Sequence, residues 1–286
     1  MASKLLRVGL TGSRGFVGSH LKDALESLDR VRVIPLRRPT KTSTLNFKNL
    51  KRRISDLDVI FHLAGVNRGA EKEILEGNVM GTWNLLEALK TSGNTKAHLV
   101  FASSGQIYPA STSLIRENRR ADPPTIYGVS KKAAEDLVRL SGLSFTSVRL
   151  SNVYGPRCRA GYNSVIATFC QRATQGQPLT LHGKGTQGRD FIFIEDVVNA
   201  LLKAGIDNRL SGIYNLSSGR THTLKQIVQR IRKRLPNLEV KFQPGEDTGP
   251  RSYGLDNSRF KNRFQWRPRV SLDQGLARTL QWFQER

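Results

Sequence analysis

The segment from residue 5 to residue 36 constrains the fold more than any other part of the chain. An apolar run at residues 5–10 leads into Gly12-Ser13-Arg14-Gly15-Phe16-Val17-Gly18, then into an amphipathic pattern at 16–27 and a second strand-like run at 31–36. Strand, glycine turn, helix and strand make one βαβ unit, because parallel strands require a crossover between them. The glycines allow the tight turn and leave backbone N–H groups at the helix start facing a phosphate-sized anion. In that context the loop is a candidate site for the pyrophosphate of a dinucleotide.

The alternation continues. Strands are expected at residues 59–63, 99–102 and 145–150, with helices at 78–90 and 127–140 between them. This predicts an α/β fold of Rossmann type, a doubly wound parallel sheet covered on both faces. Beyond Gly155-Pro156 the pattern loosens. Helices at 164–174, 194–204 and 224–234 alternate with short strands at 179–182, 190–194 and 214–216, which predicts a smaller α/β lobe. The expected division is a dinucleotide-binding domain at 1–155, with about 189–213 packing back onto it, and a substrate lobe at 156–188 and 214–286.

With 286 residues the chain can bury a core of that size. No apolar run approaches the roughly 20 residues needed to span a bilayer. Residues 1–7 run into the first strand without a signal-like apolar stretch, so cytoplasm is the expected location. Cys158 and Cys170 lack metal-ligand spacing, which predicts reduced thiols and no metal. The net charge is unusual: 46 basic against 23 acidic residues leave +23. Nucleic acid is the first suspicion. The basic runs, however, lack interleaved aromatics for base stacking, and no nucleic-acid-binding signature is present. A basic surface that draws small anionic molecules is the expectation.

Tyr127 and Lys131 stand four residues apart, so on a helix they share a face. A neighbouring ammonium is expected to lower the phenol's pKa and make Tyr127 an acid/base for a sugar or alcohol oxygen. Ser103 and Ser104 close a central strand, where open α/β sheets bind ligands. Ser104 can hydrogen-bond the oxygen that Tyr127 protonates. The second strand ends in Leu36-Arg37-Arg38 with no carboxylate to bind a ribose 2′-hydroxyl. Arg37 and Arg38, with Arg14 in the glycine loop, predict NADP(H) over NAD.

Ordered stretches at 11–18, 58–65, 78–88, 103–108, 127–131, 149–156, 188–197 and 214–219 carry a resemblance over nearly the whole chain. They resemble the extended short-chain dehydrogenases/reductases of the nucleotide-sugar epimerase/dehydratase group. The resemblance implies that Tyr127 is the acid/base, that Lys131 binds the nicotinamide ribose, and that Ser104 orients the sugar oxygen. It implies cofactor contacts at Gly12, Arg14, Gly15, Phe16, Val17, Gly18, Leu63, Ala64, Gly65, Asn78 and Ser103. Asn152, Asn163, Val165, Leu181, Arg189 and Arg251 fall where the family meets a nucleotide-diphosphate sugar, and Arg suits a diphosphate because its planar fork meets two oxygens. A homodimer formed through two helices of each chain is also implied.

Departures narrow the reaction. Dehydratases of the group carry acidic residues after the catalytic Ser/Thr, where this chain has Gly105 and Gln106. Branches that epimerise C3 and C5 place a Cys at Gln106. Residues 62–68 and 161–170 are similar to the reductase domain of capsule enzymes making N-acetyl-L-fucosamine precursors. The expected activity is NADPH-dependent reduction of a 4-keto nucleotide sugar. The alternatives are a 4-epimerase with tightly held NAD(P)⁺ and, in another class, an RNA-binding or scaffolding member.

Overall fold

A computed structural model describes residues 5–36, 53–162, 164–244 and 253–286. Among these, β1 (Leu6–Thr11), β2 (Val31–Leu36), β3 (Val59–His62), β4 (His98–Ser104), β5 (Phe145–Leu150) and β9 (Gly212–Leu216) form a six-stranded sheet in the order β2-β1-β3-β4-β5-β9. Every pairing is parallel. The α/β class holds. β1 is flanked by β2 on one side and β3 on the other, so the connections diverge there and open a crevice beyond the carboxyl ends of β1 and β3.

Helices cover both faces of the sheet, as parallel strands buried on two sides require. On one face α1 (Phe16–Glu26) buries Leu21 and Leu25 and packs against a later helix, Ile194–Leu202. On the other face a short α2 (Glu71–Leu75) runs through a π-helical turn (Glu76–Met80) into α3 (Gly81–Ser92), beside α4 (Ile126–Leu140). Leu85, Leu89, Ala134 and Val138 from these helices meet Ile60, Leu99 and Phe101 of the sheet. The helix expected at 78–90 therefore begins with a π turn, and Asn78 lies inside it.

Outside the large sheet, β6 (Asn152–Tyr154), β8 (Gly188–Phe193) and β10 (Thr221–Thr223) form a second sheet, and β7 (Leu179–His182) with β11 (Val240–Gln243) a third. α5 (Val165–Thr174), α6 (Ile194–Leu202) and α7 (Leu224–Arg232) alternate with these strands. α8 (Ser258–Phe264) and α9 (Leu272–Gln284) end the chain. Two placements differ from the expected division. Tyr214–Leu216, expected in the smaller lobe, belongs to β9 at the edge of the large sheet. Residues 189–193, expected to pack back onto the large domain, pair with β6 and β10 in the small sheet. The physical reason is that both segments are short apolar strands, and sequence pattern does not say which sheet edge a short strand joins.

Candidate active site

The glycine loop is shaped by close backbone approaches. Gly12 has φ +71, and a Cβ there would lie 2.8 Å from Ala64 N and from Leu63 C in the loop after β3. A Cβ on Gly18 would come within 2.0 Å of the Gly12 carbonyl oxygen, so α1 can approach its own loop only without a side chain. No side chain caps the first turn of α1 and no acidic residue stands in it. Its N–H groups and positive dipole end therefore face the crevice beside β1, and Arg14 is exposed in the same loop. Across the crevice, Ser103 Oγ is buried at the end of β4 with no hydrogen-bond partner among the described residues. A cradle that admits only glycine and an orphaned buried hydroxyl fit a dinucleotide.

His62 fastens the ends of β1 and β3. Its Nδ1 lies 2.7 Å from Thr11 Oγ1 and its Nε2 lies 2.9 Å from Thr82 Oγ1. Thr82 donates to Asn78 O at 2.6 Å, which leaves Thr82 to accept from Nε2–H, and Thr11 to donate to a neutral Nδ1. Burial, with the Lys131 charge as a smaller cause, lowers His62 from 6.5 to about 3, so the ring is neutral. Asn78 in turn accepts from Val66 N–H and donates to Val66 O and Ser130 Oγ, each at 2.8 Å. Its side chain is saturated by the chain. It clamps the loop after β3 to the helix of Tyr127 and Lys131, and no donor or acceptor of the Asn78 amide is left over for the cofactor contact expected of it. A π turn at such a site is a recurrent device.

α4 starts where Thr125 Oγ1 accepts from Gly128 N–H at 3.1 Å. A Cβ on Gly128 would sit 2.3 Å from the Gln106 carbonyl oxygen, so the helix start is pressed against the turn after Ser104. That contact brings Tyr127 to Ser104: the two side chains are hydrogen-bonded, and Ser104 Oγ also accepts from Gln106 N–H at 3.1 Å. The expected lowering of Tyr127 is reversed. Burial raises the phenol above its ordinary value, with the Ser104 bond pulling it down and Tyr162 adding to the rise. Lys131 is itself lowered from 10.5 to about 8, by burial against the opposing charge of Glu135. Its Nζ stands 4.4 Å from the Phe101 ring centroid. Lys131 is a weakened cation, and burial rather than this charge governs the phenol.

Of the residues expected to meet a substrate, Asn152 donates through Nδ2 to Asp190 O at 3.0 Å, which holds β6 to β8. Arg189 is half-buried on β8, and its guanidinium donates to Gly188 O at 2.9 Å. Val165 begins α5, whose cap is Ser164. Leu181 turns its side chain into the core at 1% exposure, so its strand presents backbone rather than this side chain to a ligand. Arg37, Arg38, Asn163 and Arg251 lie outside the described residues. The two cysteines are free and buried. No cluster of His, Cys, Asp or Glu suited to a metal occurs among the described residues. No described helix is long and apolar enough to cross a membrane.

Motif reasoning missed a buried polar network behind the site. Glu135 on α4 holds Arg149 on β5, and Arg149 holds Tyr108 and Glu117 O. A signal was available: Arg149 interrupts an apolar strand, and Glu135 repeats the Tyr127–Lys131 face one turn later. Asp190 was also missed. It accepts from Ser218 N–H, Ser218 Oγ, Gly219 N–H and Ser151 Oγ, while burial raises it to about 6.

A family pattern described as the NAD dependent epimerase/dehydratase family matches residues 8–217. The chain belongs to that family. It is 30% identical to a UDP-N-acetyl-alpha-D-glucosaminuronate decarboxylase of Bacillus cytotoxicus, over 96% of this chain and 97% of that protein. It is 30% identical to a putative UDP-glucose 4-epimerase of Methanocaldococcus jannaschii, with the same shares covered. Among solved structures, a UDP-glucose 4-epimerase of Thermotoga maritima with UDP-glucose superposes with a TM-score of 0.88 at 26% identity, over 98% of this chain and 99% of that one. The chain is thus an enzyme of a family whose members include UDP-sugar epimerases and decarboxylases.

Proposed function

We propose that the chain is a UDP-sugar 4-epimerase. The observation that carries this reading is the Tyr127–Ser104 hydrogen bond above Lys131, in a site where Gly105 and Gln106 offer no second acid or base. Inversion at C4 by oxidation and reduction needs one acid/base group. Dehydration needs more. The 4-epimerase relatives favour this reading over the 4-ketoreductase expected from sequence.

In this reading the glycine loop and the α1 N-terminus hold the pyrophosphate of a nicotinamide dinucleotide, with Ser103 and the 63–65 loop along it. Bound there, the dinucleotide would supply a hydride acceptor for C4 of the sugar and return the hydride to the opposite face of the resulting ketone. Tyr127 takes the C4 hydroxyl proton and gives it back. Ser104 fixes the oxygen's direction. Lys131 holds the ribose and offsets the phenolate charge. Asn152 and Arg189 serve the nucleotide diphosphate. The test incubates the purified chain with UDP-glucose, and separately with UDP-glucuronate, without added dinucleotide, following products by proton NMR and released dinucleotide by mass spectrometry. Conversion to the C4 epimer with a retained dinucleotide supports the reading. Release of CO₂ from UDP-glucuronate would instead align the chain with its decarboxylase relative.

The reductase remains a second reading, favoured by exposed Arg14 in the glycine loop and by the missing carboxylate after β2. Consumption of NADPH with a 4-keto nucleotide sugar, and no interconversion, would select it. NADP preference is tested in the same assay by comparing both dinucleotides before and after Arg37→Asp. A homodimer is proposed through α2, the π turn, α3 and α4, where Leu75, Met80, Trp83 and Val129 are exposed. Light scattering on the native chain and on Trp83→Glu tests it, with dissociation expected in the variant.

A further inference from the structure

Glu135 follows Lys131 by four residues and Tyr127 by eight, on the same face of α4. Its side chain is 1% exposed, and Lys131 is buried at 5%. Glu135 Oε1 lies 2.6 Å from Arg149 Nη2 and 3.2 Å from Nε. Oε2 accepts from the same Nε at 3.1 Å and from Ser147 Oγ at 2.8 Å. Arg149 Nη1 then donates to the Tyr108 hydroxyl and to Glu117 O. Tyr108 donates to Asn215 Oδ1 at 3.2 Å, and Asn215 Nδ2 donates to Ile115 O and Asp256 O. One buried pair thereby ties the helix of Tyr127 to β5, to the turn after Ser104, to β9 and to the chain around Asp256.

A buried ion pair of this kind is a poor device for stability, since well-packed apolar residues often do as well. Its placement suits another task. Lys131 faces the Phe101 ring on β4, neutral His62 on β3, uncharged Asn78 in the π turn, and Tyr127 and Glu135 on its own helix. The guanidinium of Arg149 on β5 is itself held by Glu135. Among the described residues Lys131 forms no ion pair, so the carboxylate one turn away is the charge that sustains it.

We propose that Glu135 is a positioning residue that keeps the buried Lys131 ammonium charged and, through Arg149 and Tyr108, clamps the helix of Tyr127 against the Ser104 turn. This rests on the reading that Lys131 acts as a cation beside Tyr127. Burial already brings Lys131 down to about 8 and Glu135 is the influence raising it, so removing the carboxylate lowers it further and leaves a smaller share of Lys131 charged at physiological pH.

The test is a direct titration of Lys131 by NMR of ε-¹³C-labelled lysine, assigned with Lys131→Arg. Glu135→Gln is expected to move the Lys131 midpoint down by about one pH unit, a tenfold loss of cation above the midpoint. Glu135→Asp retains the charge and is expected to stay close to the wild-type midpoint. Should Glu135→Gln fail to fold by circular dichroism, the double variant Glu135→Gln/Arg149→Met removes both buried charges and is expected to fold with a lowered midpoint. An unchanged midpoint in a folded variant lacking the carboxylate overturns the proposal. Turnover separates the two readings. A lowered midpoint together with an equal shift in the alkaline limb of kcat supports both. A lowered midpoint with no C4 chemistry in any variant sinks the functional reading and sustains the assignment of Glu135.

Discussion

Tyr127 owes its usefulness to Ser104 more than to Lys131. The phenol lies above its ordinary value because it is buried, and the hydrogen bond from Ser104 is the opposing influence. A raised phenol stays protonated at physiological pH, so proton removal from a C4 hydroxyl depends on groups that stabilise the phenolate. Tyr127→Phe is expected to lower kcat by about 10²–10⁴-fold while leaving dinucleotide and UDP affinity nearly unchanged. Stopped-flow turnover with calorimetric binding checks it, and parallel losses of both would reassign Tyr127 to structure. Ser104→Ala removes the bond that lowers Tyr127. Its phenol should then titrate higher, with the alkaline shift visible in the ultraviolet absorbance of the folded chain.

The start of helix α4 meets the turn after Ser104 through a close contact at Gly128. With 2.3 Å separating a Gly128 Cβ from the Gln106 carbonyl oxygen, Gly128→Ala must push the helix start from the Ser104 turn. A displacement of about 1 Å between reacting groups can cost about 10² in rate. The variant is expected to lose about that much in kcat with little change in dinucleotide affinity, because the glycine loop is on another element. Gly18→Ala should do the reverse and abolish dinucleotide retention, measured by mass spectrometry of the released nucleotide. This is also where the sequence was most and least legible. The βαβ unit, the glycine turn, and the strand ends carrying Ser104 and His62 follow from local period and turn chemistry. The π turn at Asn78, the reversal of Tyr127 and the partners of Arg149 were not legible. Each depends on which elements meet in space, and burial decides the titration of a group that sequence shows only beside its neighbours. The assignment of β8 and β9 to their sheets failed for the same reason.

At the scale of the whole molecule, charge and buried titratable groups pull stability in definable directions. With +23 net charge, self-repulsion opposes compaction, and raising ionic strength is expected to raise the melting temperature. The pH dependence is sharper. His62 and His98 are depressed from 6.5 to about 3 and about 4, in both cases chiefly by burial. A depressed histidine contributes stability that is complete above 6.5 and is lost as pH falls towards its folded value, because the unfolded chain takes up the proton first. Asp190 acts oppositely. Raised from 3.8 to about 6, it is protonated in the fold while ionised in the unfolded chain, so between those values it gains stability as pH falls. Two histidines outweigh one aspartate, and net stability should decline from pH 6.5 towards pH 4. His98 is the cleaner probe, since it lies between Ser144 Oγ and Thr146 Oγ1, away from the reacting groups. His98→Gln is expected to flatten the slope of unfolding free energy against pH by about 1.4 kcal/mol per pH unit in that window. Urea denaturation at a series of pH values measures it. An unchanged slope would mean that His98 titrates normally in the fold, and that the burial of its ring does not control its charge.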